Sequence, residues 1–115
     1  MSRQIVFTSK AAKPPAVYSQ AVKAAGLVFV SGTAPHDPAT GTIKGTTIQE
    51  QTRQCLSNVV AILEEAGSSL DKITSATVVL ADEDDFSGVE RRLNTHFRPH
   101  HATLHIYLES NTFLL

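Results

Sequence analysis

Polar and apolar positions alternate over residues 3–8, the period of a half-buried strand, and the alanines and prolines of residues 10–15 cannot continue it. Residues 18–23 and 27–32 flank Ala24-Ala25-Gly26 and read as a hairpin with Gly26 in the turn. The second arm is apolar at four successive positions, Leu27-Val28-Phe29-Val30, so both faces of that strand need cover. Thr77-Val78-Val79-Leu80 repeats the pattern inside a Thr- and Val-rich strand predicted over residues 73–80. Residues 35–41 supply the Pro, Asp and Gly of a surface turn.

The pattern then changes period. Thr47-Ile48-Gln49-Glu50 has capping-box spacing: the hydroxyl can accept from the Glu50 N–H while the carboxylate reaches back. Ile48, Cys55, Leu56, Val59, Ile62, Leu63 and Ala66 follow at helical steps, and Gly67 is a natural stop. A second helix is predicted from Phe86, Val89, Leu93 and Phe97, with the acidic run at residues 82–85 favouring its N-terminus and Pro99 ending it. Residues 103–108 read as a last strand, leaving 109–115 as a short tail.

The order β-β-β-α-β-α-β predicts an α+β fold in which two helices pack on one face of a mixed sheet. The other face remains apolar and should be covered by further copies in a closed homo-oligomer, which makes clefts between subunits candidate sites. A length of 115 residues fits a single domain spanning 1–115. An apolar content of 42% excludes general disorder, and 18% charged residues, below the roughly 25% of soluble domains, again points to surface meant for a partner. No secretory signal or membrane span is legible, so a cytoplasmic location is expected, with the mitochondrial matrix left open.

Net charge is −1, which argues against strong nucleic-acid binding. The single cysteine, Cys55, lies on the apolar helix face with no His or Lys motif beside it and is expected to pack rather than react. Four of the five histidines fall between positions 96 and 105. On one strand His101 and His105 would stand about 13 Å apart, too far to share an ion. Pro99 interrupts the helical spacing of His96 and His100, so no metal site is expected.

Several segments, in order, resemble the RidA (YjgF-like) family of reactive imine deaminases. They are Pro15-Ala16-Val17-Tyr18-Ser19-Gln20-Ala21-Val22, Leu27-Val28-Phe29-Val30-Ser31-Gly32, Asp37-Pro38-Ala39-Thr40-Gly41 and Gln51-Thr52-Arg53-Gln54, continuing through residues 58–70 and 77–80 to Asp84-Asp85-Phe86. The resemblance implies a chorismate-mutase-like fold and a homotrimer with sites in its inter-subunit clefts. It also implies cofactor-free hydrolysis of 2-imino or 2-enamino acids to 2-oxo acids and ammonia. By matching position, Tyr18, Ser31 and Gly32 would line the cleft, and the missing Cβ of Gly32 would admit a ligand to the backbone.

The rest of the implied pocket departs from the family pattern. Glu90 stands where members often carry Asn, and His101 stands at the family's carboxylate-binding Arg, with Arg98 near enough to substitute. Arg suits a carboxylate because its planar fork binds both oxygens, whereas a histidine is mostly neutral at pH 7 unless an anion raises its pKa. The tail diverges from about residue 98, and the family's final strand, with its water-orienting glutamate, is absent or only a stub; Glu109 lies too early to replace that residue. The expected activity is therefore a weakened imine deaminase. The alternatives are a noncatalytic small-molecule-binding or regulatory trimer, or a RidA-fold enzyme recruited to a biosynthetic pathway with Glu90 and His101 as an acid/base pair.

Overall fold

The computed structural model describes residues 2–80, 84, 87–89 and 91, and the backbone of 103–108. Its strands are β1 (Gln4–Val6), β2 (Ala21–Ala24), β3 (Leu27–Val30), β4 (Ser75–Leu80) and β5 (Thr103–Leu108), with helix α1 (Ile48–Glu65) between β3 and β4. Ser87, Gly88, Val89 and Arg91 are helical, at the place of the expected second helix. The described strands form two sheets, antiparallel β1-β2-β3 and parallel β4-β5, so both kinds of pairing of the expected mixed sheet are present. The chain divides into two compact units, Met1–Leu70 and Asp71–Leu115.

In the first unit a two-residue turn joins β2 to β3. Ala24 pairs with Leu27, and Ala25 and Gly26 both take positive φ, 53° and 78°, the geometry that matches strand twist in a tight hairpin. Opposed residues share a face, so the register sorts the sheet's side chains into two rows. Val6, Ala21 and Val30 form one row and enter the core with Val28, Ala11, Ala61, Ile62 and Ala66. Ile5, Val22 and Phe29 form the other. On that face Ile5 is 63% exposed, and Leu27 and Phe29 are also exposed.

Helix α1 begins as its sequence predicts, with one difference in detail. The Thr47 hydroxyl accepts from the Glu50 N–H at 3.2 Å, but the Glu50 carboxylate accepts from that same hydroxyl at 3.0 Å rather than reaching the cap backbone. The helix ends at Gly67, φ 84°, where Ser68 N–H donates to the Leu63 carbonyl at 2.8 Å and Gly67 N–H to that of Glu64 at 3.0 Å. That pair of bonds satisfies carbonyls the last turn would leave orphaned. Gly45, φ 101°, lies against the first turn so closely that a Cβ there would stand 2.8 Å from that of Glu50.

The hairpin's first arm is shorter than the expected 18–23 and starts at Ala21, because Tyr18 closes a backbone turn onto Pro15 and the Thr8 main chain, which would pair next, is taken by the Gln20 side chain. In the second unit, Ala76 and Val78 are half-buried and Leu80 buried on one side of β4, while Thr77 and Val79 are exposed on the other. Strand β5 runs over the predicted residues, pairing Ser75 with Thr103 through Leu80 with Leu108. The remaining residues of the expected second helix and tail lie outside the described residues.

Candidate functional site

The candidate site begins where β3 ends. Ser31 continues the β2-β3 ladder by one bond, its N–H donating to the Gln20 carbonyl at 3.0 Å, and its hydroxyl donates to the Ser19 carbonyl at 2.6 Å. Its own carbonyl accepts from the Thr33 hydroxyl at 2.9 Å. Ser31 is thus fixed at three of its polar groups. Gly32 follows, exposed, and a Cβ added there would meet nothing within 4 Å. Among the described residues no steric demand requires glycine at that position, and none of them fills the space above its backbone.

Tyr18 sits in the turn that precedes β2, its N–H donating to the Pro15 carbonyl at 3.4 Å, with the residue 45% exposed. Val17 beside it is 88% exposed, so this turn presents apolar surface outward. Tyr18, Ser31 and Gly32 all belong to the first compact unit. Glu90, Arg98 and His101 lie outside the described residues.

The structure also assigns work to residues that the pattern of polar and apolar positions did not single out. Two nearly buried carboxamides hold the irregular segments around the site. Gln20, 3% exposed, accepts from the Thr8 N–H at 2.7 Å and donates to the carbonyls of Thr8 at 3.1 Å and Ala12 at 2.9 Å. Asn58, 1% exposed, donates from α1 to the carbonyls of Ala34 at 3.2 Å and His36 at 2.9 Å, and accepts from Gln54 at 3.2 Å. A carboxamide offers two donors and two acceptor lone pairs without charge, so it can satisfy backbone groups in a loop that has no strand partner. The sequence signal for both is a polar residue at a core-facing position: Asn58 lies between Leu56 and Ile62 on the helix, and Gln20 directly precedes Ala21, which is fully buried.

Cys55 completes the helix face turned toward this segment. Its thiol donates to the Thr33 carbonyl at 3.5 Å, and burial pushes its pKa up from 9.0 to about 11. The thiol therefore stays protonated, a packing group rather than a nucleophile, as its place on the helix predicts. Beyond Thr33, residues 35–44 form a closed turn: Asp37 N–H donates to the Thr42 carbonyl at 2.8 Å, and the Asp37 carboxylate accepts from the Ala39 N–H at 2.7 Å.

Residues 8–109 match the family described as Endoribonuclease L-PSP, a span that takes in the whole candidate site. The chain belongs to that family. A RutC family protein of Pyrococcus abyssi is 43% identical over 97 residues, which cover 84% of this chain and 76% of the relative. The 2-iminobutanoate/2-iminopropanoate deaminase of Capra hircus is 36% identical over 96 residues, covering 84% and 70%. Among solved structures, E. coli TdcF with bound serine matches with a TM-score of 0.80 at 33% identity, over 93% of this chain and 84% of that one. The RidA-like identity and α+β fold expected from the residue order are thereby borne out in this endoribonuclease L-PSP family member.

Proposed function

We propose that this chain hydrolyses reactive 2-imino and 2-enamino acids to 2-oxo acids and ammonia, in clefts between the subunits of a homotrimer. The observation that carries the reading is the open approach to Gly32 beside a Ser31 whose hydroxyl and N–H are both anchored. A preorganised strand end that no described side chain covers suits a small planar substrate lying against the backbone. The goat relative's name supplies the substrate class, and the serine bound to TdcF is a molecule of similar size carrying the same carboxylate. The trimer rests on the apolar sheet face of Ile5, Leu27 and Phe29, whose exposure in one chain is what a subunit interface would remove.

In this reading water adds to the imine carbon with one of its protons passing to the nitrogen. The carbinolamine then collapses to the 2-oxo acid as its hydroxyl proton follows, so the nitrogen leaves as ammonia carrying both protons of the water. Tyr18, Ser31 and Gly32 bound the substrate. By the family resemblance, Arg98 and His101 are assigned to its carboxylate and Glu90 to the proton transfer. Because imine hydrolysis already proceeds in water, orientation and a modest proton transfer supply what the site must add. The family's descriptive name suggests ribonuclease chemistry, but a net charge of −1 offers little to track a phosphate backbone.

The test is deamination of freshly generated 2-iminobutanoate, followed as 2-oxobutanoate. A rate above buffer, raised in His101→Arg because a permanent cation then faces the carboxylate, is the expected result. No rate in either protein would overturn the proposal. Sedimentation at three times the 12.4 kDa chain mass is expected for the trimer, and a monomer at micromolar concentration would contradict it.

A further inference from the structure

Where β1 leaves the sheet, the Gln20 side chain takes over the pairing that the strand would have made. Val6 is the last residue of β1 to pair with β2, opposite Ala21. Two residues later, the Gln20 carboxamide meets both main-chain groups of Thr8, accepting from its N–H at 2.7 Å and donating to its carbonyl at 3.1 Å. That is the two-point bond a peptide unit would make, since a carboxamide carries the same donor and acceptor in the same plane. The amide nitrogen also reaches the Ala12 carbonyl at 2.9 Å and closes the loop over the strand end. On its other side, the Gln20 main-chain carbonyl accepts from the Ser31 N–H at 3.0 Å, and the preceding Ser19 carbonyl accepts from the Ser31 hydroxyl at 2.6 Å.

We infer that Gln20 is a positioning residue that fixes Ser31, and through it the exposed backbone at Gly32, by anchoring the Ser19-Gln20 peptide from the opposite side. The peptide is held between two partners: the Thr8–Ala12 loop grips the Gln20 side chain, and Ser31 takes the main-chain acceptors. With the side chain 3% exposed, water is not available to replace bonds that are lost. Releasing one grip lets the Ser19 and Gln20 carbonyls swing, and the Ser31 hydroxyl then has no fixed direction. The same segment carries Tyr18, two residues earlier, so both candidate pocket side chains share this anchor. The role of Gln20 in turnover rests on the imine-hydrolase reading, whereas its hold on Ser31 does not.

The experiment separates the two. Gln20→Glu preserves length and the acceptor that meets the Thr8 N–H, but it removes the donors facing the Thr8 and Ala12 carbonyls. Amide hydrogen exchange on the full chain is expected to quicken about tenfold or more at Ser31 while amides in the middle of α1 stay protected. With 2-iminobutanoate, kcat/KM is expected to fall by about ten- to a hundredfold in the folded variant. In the double variant with Ser31→Ala, it should fall no further than in the worse single one, within about twofold. Unchanged exchange at Ser31, or losses that multiply in the double variant, would overturn the inference. Should the wild type turn over no imine, the exchange result decides on its own. Should Gln20→Glu not fold, Gln20→Met, uncharged and of similar length, is read in the same ways.

Discussion

Asn58→Ala tests whether the loop after the candidate site is held by hydrogen bonds or by packing. The wild-type side chain is 1% exposed and donates to two carbonyls, Ala34 at 3.2 Å and His36 at 2.9 Å. Neither carbonyl becomes wholly orphaned on truncation, since Ala34 still accepts from the His36 N–H at 2.8 Å and His36 from Gln54 at 3.4 Å. The loss therefore belongs near the low end for buried polar groups, about 1 to 1.5 kcal/mol for each carbonyl. Alanine in a helix returns about 0.5 kcal/mol of propensity relative to asparagine. The balance is roughly 2 kcal/mol of destabilisation, or about 8 °C in Tm for a chain of this size.

Urea unfolding at fixed protomer concentration measures it, with an unchanged m value as the condition for reading the midpoint as stability. Asn58→Asp sharpens the test because it keeps the shape and replaces the donor with an acceptor aimed at two carbonyls. If donors matter, Asp is worse than Ala; if only volume matters, Asp is milder. An Ala variant within about 0.5 kcal/mol of wild type, or an Asp variant more stable than Ala, would refute the reasoning.

Three further outcomes can be read by similar measurements. Gly45→Ala combines a backbone at φ 101° with a Cβ 2.8 Å from that of Glu50, so it should cost about 1 to 3 kcal/mol in urea midpoint, and a neutral result would contradict the close approach. Ala25→Asn should stabilise by about 0.5 to 1 kcal/mol, because φ 53° at the first turn position strains alanine and suits Asn-Gly; a loss would mean the turn is not of that type. Cys55, protonated in the fold with its pKa raised from 9.0 to about 11, should resist alkylation at pH 8 until the chain unfolds. Because the folded pKa lies above the unfolded one, its contribution to stability is fully present below pH 9.0 and is lost as pH rises toward about 11, and a stability curve flat across that window in wild type but not in Cys55→Ser would contradict the assignment.

Much of the fold could be read from local chemistry because its elements carry their own punctuation. Gly67 stops α1 through a left-handed residue, Gly26 turns the hairpin, and Thr47 caps the helix through a hydroxyl that needs no distant partner. Strand β5 was legible at Thr103–Leu108 because apolar and polar residues alternate there between a proline-bearing segment and a polar one. The start of β2 was not. Residues 18–20 read as part of a strand, but Tyr18 closes a turn onto Pro15 and the distant Thr8 and Ala12 hold the Gln20 side chain, so strand pairing begins only at Ala21. A pattern read along the chain registers polarity and period but not which carbonyl a buried amide will find twelve residues away.

The same distinction governs the candidate site. Ser31 and Gly32 close the arm predicted over residues 27–32, and the ladder does end there: β3 stops at Val30 and Ser31 adds one last bond. What local reading cannot supply is the reason glycine stands at 32. The usual reasons are a positive φ or a close neighbour, and Gly45 has both, whereas Gly32 has no neighbour within 4 Å of its missing Cβ. Its conformation and its surroundings within the described residues both admit alanine. A requirement for glycine then comes from outside the described residues: from the rest of this chain, from substrate, or from a second copy. Gly32→Ala separates these origins: it lowers the stability of the single chain in the first case, blocks a small substrate in the second and blocks assembly in the third.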